Sequence, residues 1–176
     1  MDTKAIAISS AKAKVILFAV SLGILTVIPS FIHSQWITGP MVNAVLLISA
    51  VLIGPMEAVF LGLMPSTVAL SAGLLPLPLA PMVPFIMIGN AVMIAVFHYS
   101  YKKNIYASIG AAALLKFAFL HFSVVLIMAK LLDSKLTANL AMMMSWPQFV
   151  TAIIGGVVAY GFLKGVKLRW TSLDID

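Results

Sequence analysis

Long apolar runs alternate with short polar or proline-bearing breaks along the whole chain, and the breaks define its elements. At about 20 apolar residues per membrane crossing, the runs predict six helices, at about 14–32, 40–53, 55–70, 82–97, 105–130 and 146–163. Gly39-Pro40 and Gly54-Pro55 mark two helix starts, because a proline in the first turn gives up an N–H that has no partner there anyway. Between Leu74 and Pro81, three prolines (Pro76, Pro78, Pro81) forbid a regular helix. Polar turns follow at His98 to Asn104 and around Asp133 and Lys135.

The second of these helices is short, since Met41 to Ile53 spans about 20 Å at 1.5 Å per residue. Fusing it with the third as one helix kinked at Pro55 would leave five crossings. Positive charge decides between the two arrangements. With six crossings and the N-terminus inside, Lys4, Lys12, Lys14, Lys102, Lys103, Lys164, Lys167 and Arg169 face the cytoplasm, and only Lys130 and Lys135 face outward. Five crossings divide the same residues evenly and break the positive-inside rule. The expected fold is therefore all-α: a polytopic membrane protein with six transmembrane helices in one bundle and both termini cytoplasmic.

Composition agrees and narrows the function classes. Of the 176 residues, 62% are hydrophobic and 9% charged, against about a quarter charged in soluble domains. The net charge of +6 follows the loops, so nucleic acid is not an expected partner; the lipid bilayer is. The run Val15 to Ile32 is too long for a signal-peptide core and is read as a retained helix in the plasma membrane. The chain has no cysteine, which removes disulfides, thiolate metal sites and thiol catalysis.

Against this apolar background a few polar residues stand out. Lys116 lies halfway along the fifth helix, and an ionisable group at that depth normally lines a cavity or a protein interior. Asn90 is expected at the same depth on the fourth helix, where its amide offers both donor and acceptor. Together they would floor an outward-open pocket for a small anionic or polar molecule. The alternative is that Lys116 marks a helix end or bonds backbone carbonyls. His121 lies about 140° round the helix from Lys116, on another face. His33, Asn43 and Gln148 supply polar groups towards the outer ends of the first, second and sixth helices, while Trp36 and Trp146 read as interfacial anchors. Met142-Met143-Met144 reads as a flexible apolar lid rather than a copper(I) site, so no metal or other cofactor is expected. Glu57, just after Pro55, reads as a helix cap. Phosphate-loop, zinc-protease and serine-hydrolase motifs are absent, and an enzyme is not expected.

The residues Gly39-Pro40-Met41-Val42-Asn43-Ala44, Gly54-Pro55, Leu74 to Pro81 and Pro84-Phe85-Ile86-Met87-Ile88-Gly89-Asn90 give the chain a further pattern. With it, the chain resembles the substrate-binding S components of energy-coupling factor (ECF) vitamin and metal importers. Ala7-x-x-x-Ala11 is similar to the small-residue motif by which S components dock on their transmembrane partner. The resemblance implies a membrane-embedded binding subunit that captures a scarce small molecule from outside, with Asn90, Lys116, His121, His33, Asn43 and Gln148 as candidate substrate contacts. It also implies partners: a transmembrane coupling protein and two ATPase subunits. The competing expectation is a non-catalytic anchor of a larger membrane complex, in which Lys116 and Asn90 would pack dry with no outward cavity.

Overall fold

The computed structural model describes residues 10–131, apart from His33, Leu74 and Pro76, and residues 142–173; side chains are described for these except at 78, 79, 127–131 and 167–173. Every regular element among them is helical: α1 (Ala11–Phe31), α2 (Gln35–Leu52), α3 (Pro55–Gly62), α4 (Met64–Ser71), a 3-10 helix (Leu77–Met82), α5 (Val83–Ser100), α6 (Ile105–Leu131) and α7 (Trp146–Leu173). Five helices, α1, α2, α5, α6 and α7, are long and apolar enough to cross a membrane, and Pro55–Ser71 is a shorter apolar stretch. The protein reads as a multi-pass membrane protein.

Three expected boundaries move. Helix α2 starts at Gln35, ahead of Pro40, which sits inside it. The bond Pro40 cannot make falls near the helix end, while Thr38 reinforces the first turn by giving both its N–H and its hydroxyl to the Ser34 carbonyl, each at 2.9 Å. The stretch expected as one helix over 55–70 is instead two, interrupted at Leu63, because Pro65 has no N–H for the Leu61 carbonyl. Helix α7 continues past Leu163 to Leu173, so Lys164, Lys167 and Arg169 lie within the helix and not beyond its end. The proline-rich segment forms only the short 3-10 turn before α5.

Glycines set how closely the helices approach. A side chain on Gly155 of α7 would stand 2.6 Å from Asn43 Cβ and 2.7 Å from the Pro40 carbonyl oxygen, so α2 and α7 touch almost backbone to backbone. The next residue, Gly156, does the same for Ile109 of α6. Because hydrocarbon lipid supplies no hydrophobic drive for helices to associate, small residues that permit such approach largely decide the packing. The result is a principal core of Leu46, Leu47, Ala50, Leu61, Ile94 and Phe97 with their neighbours, and a second, smaller core of Leu75, Met82, Val83, Leu120, Val124 and Met144.

Candidate functional site

Helices α2, α5 and α6 each contribute one polar residue to a single point in the bundle. Lys116 Nζ donates to Asn43 Oδ1 at 2.6 Å and to Asn90 Oδ1 at 2.8 Å. All three residues are buried, and Lys116 is the one buried charged side chain among the described residues. An ammonium has three donors and no acceptor, so both amides must turn their oxygens towards it. That orientation fixes the other end of each amide. Asn90 Nδ2 donates to the Gly62 carbonyl at 2.9 Å, at the break between α3 and α4. Asn43 Nδ2 is left free to face a neighbour.

What it faces is a cavity of about 230 Å³ lined by Asn43, Asn90 and Lys116 at one end. Val42, Ala69, Leu75 and Ile86 form much of its wall, and Ser66 of α4 also contributes. Gln35, Thr38, Met143, Met144 and Gln148 line it as well. The Met143 carbonyl accepts from Gln35 Nε2 at 3.1 Å and, more weakly, from Gln148 Nε2 at 3.4 Å. Those two bonds tie the methionine segment to the starts of α2 and α7. Met144 is buried beside Leu75 and Val124, so apolar side chains close this end of the cavity. Trp36 and Trp146 pack together nearby along the chain, with ring centroids 5.4 Å apart and ring planes tilted by 45°, and each residue is about half exposed. Paired, half-exposed tryptophans mark this end of the bundle as an interface between apolar and wet surroundings.

The residues named from sequence therefore divide. Asn90 and Lys116 meet as expected from their matched depths. Asn43 joins them at the polar end; it lies about 12 Å into α2, because that helix begins at Gln35 and not at Pro40. Gln148 lines the opposite part of the cavity. His121 does not belong to the site: it is exposed on α6, stacks on Phe117 at 5.6 Å between ring centroids, and faces Ser145 Oγ at 3.4 Å. The 140° rotation that separates it from Lys116 takes it out of the lining. Ala11 is exposed at the start of α1, whereas Ala7 and His33 lie outside the described residues. Glu57 sits in the first turn of α3, with its carboxylate over Gly54, whose φ of +151° leaves no room for a side chain.

Sequence reasoning missed Ser66. Its signal was the polar pair Ser66-Thr67 directly after Pro65 in an otherwise apolar stretch, where a broken helix has backbone and side-chain groups to redirect. Comparison of the chain with protein-family models, with curated proteins and with solved structures finds no match.

Proposed function

We propose that the protein is the membrane-embedded binding subunit of an uptake system for a small micronutrient, of the kind formed by ECF S components, and is not itself an enzyme. In this reading the short α3–α4 pair makes a sixth crossing, both termini are cytoplasmic, and the tryptophan end of the bundle faces outward from the plasma membrane. A separate transmembrane coupling protein and ATPases supply the energy.

One observation carries the proposal: the Lys116, Asn43 and Asn90 cluster is not packed dry but borders a cavity with an apolar wall. Pockets of that make-up, apolar with a few convergent polar groups, are where small molecules bind. A purely structural anchor needs no such space, and burying a lysine beside it would be a cost without a return. The test is a thermal-shift screen of the purified protein against vitamins, amino acids and metal ions. A compound that stabilises the wild type and not Lys116→Ala supports the site, and equal stabilisation of both removes Lys116 from it. Co-purification with two ATPases separates the importer from the anchor.

A further inference from the structure

Ser66 departs from a rule that other hydroxyls of the bundle keep. Thr38, Ser100, Ser108 and Ser123 each donate to the carbonyl four residues earlier, at 2.9, 2.6, 2.7 and 2.7 Å. In an apolar helix this back-bond is the ready way to satisfy a hydroxyl. For Ser66 the corresponding carbonyl is that of Gly62, and it accepts Asn90 Nδ2 instead. Ser66, 3% exposed, holds the one fully covered side-chain nitrogen or oxygen among the described residues that has no partner. Buried polar groups are so consistently paired that such an exception calls for an explanation.

The cavity shows a second imbalance of the same sign. Lys116 spends two donors on amide oxygens and keeps a third, and Asn43 Nδ2 makes no hydrogen bond among the described residues. Glu57 is the one acid among those residues, and it lies at the start of α3 over Gly54, away from the cavity lining. The site thus offers three donor groups with capacity to spare, Lys116 Nζ, Asn43 Nδ2 and Ser66 Oγ, and no acid among the described residues lines it.

We infer that the ligand is a compact organic monocarboxylate. This deepens the proposed uptake function and rests on it. The carboxylate takes Lys116 Nζ, Asn43 Nδ2 and, after rotation of its side chain between staggered positions, Ser66 Oγ. The body of the molecule lies against Val42, Ala69, Leu75 and Ile86. An ionised carboxylate only accepts hydrogen bonds, at about four positions, which suits the unclaimed donors of Lys116, Asn43 and Ser66. A primary amide has one acceptor oxygen in place of two and no charge to set against an ammonium, so it answers fewer of these donors. A phosphate dianion leaves an unbalanced negative charge, and an amino acid brings an ammonium with no acid to meet it. Size follows from the cavity: one of about 150 Å³ holds benzene, so the volume here suits on the order of ten non-hydrogen atoms.

The experiment pairs aliphatic and aromatic monocarboxylic acids of about eight to twelve non-hydrogen atoms with their primary amides, and adds inorganic phosphate, in thermal-shift and binding assays on the full chain. At least one acid should bind ten times or more tighter than its amide and than phosphate. Ser66→Ala should weaken that acid about tenfold while the ligand-free protein is as stable as the wild type or more so, since it loses only an unpaired hydroxyl. Lys116→Met should abolish the preference for acid over amide. Equal binding of acid and amide, or full-strength binding of the acid by Ser66→Ala, overturns the inference. If no acid binds but a neutral or cationic nutrient does, the carboxylate reading fails and the uptake reading stands; if nothing in either screen binds, both fail.

Discussion

Gly155 of α7 faces Asn43 of α2 so closely that any side chain there would strike it, with only 2.6 Å between the Cβ atoms. A close approach of two helices and the polar end of the cavity are thus the same place. Gly155→Ala should force α2 away and cost about 1–3 kcal/mol by overpacking. Gly161→Ala, where nothing lies within 4 Å, should instead leave stability unchanged or raise it by up to about 1 kcal/mol. Thermal unfolding of the two variants in detergent checks the contrast; equal effects would mean that the α2–α7 approach is not what positions Asn43.

Asn43→Asp places a carboxylate of nearly the same shape against Lys116. The variant should be at least as stable as the wild type, because the buried cation gains its own counter-ion. It should also lose anionic ligands by a hundredfold or more, since the charge they would meet is already neutralised. Binding and melting measurements on one preparation test both halves. A destabilised variant that still binds would contradict the geometry.

Asn90 joins two otherwise separate problems, the Lys116 ammonium and the Gly62 carbonyl at the α3–α4 break. Asn90→Ala leaves both short of a partner and should cost about 1–3 kcal/mol. In a double-mutant cycle, Asn90→Ala and Lys116→Met should show a coupling of about 0.5–3 kcal/mol, while Lys116→Met and Gly161→Ala should be additive.

The methionine segment is held by two side-chain bonds to its Met143 carbonyl as well as by the burial of Met144. Removing the shorter of the two bonds on the Met143 carbonyl, with Gln35→Ala, should speed amide hydrogen exchange over Met142 to Ser145 several-fold. Gln148→Ala, which removes the 3.4 Å bond, should have the smaller effect. The reverse order would reassign the latch.

His121→Ala should leave ligand stabilisation unchanged, because this side chain lies on the exposed face of α6. A loss of binding would show that α6 turns in the functional state.

The sequence carried the frame of this protein because its runs of apolar residues and its prolines act locally. Matched depth on two helices was enough to pair Asn90 with Lys116, and a rotation of about 140° was enough to put His121 on another face. Asn43 was misjudged in depth because Pro40 was read as a start; a proline near a helix end can be absorbed when a neighbour such as Thr38 reinforces the turn. Ser66 was out of reach for a different reason. The carbonyl four residues before it, that of Gly62, accepts Asn90, 28 residues further on, and no local pattern encodes that.

The uncompensated charge of Lys116 has an electrical consequence. Whenever Lys116 is an ammonium, an empty site within a bilayer holds one positive charge with no acid beside it, and a voltage of 100 mV across the full membrane acts on such a charge with up to about 2.3 kcal/mol. Filling the site with a monoanion cancels the charge. Under the proposed uptake function, the loaded protein would be indifferent to membrane voltage at this position while the empty, charged one would not, so an inside-negative potential would resist the outward return of a vacant site and leave inward delivery untouched.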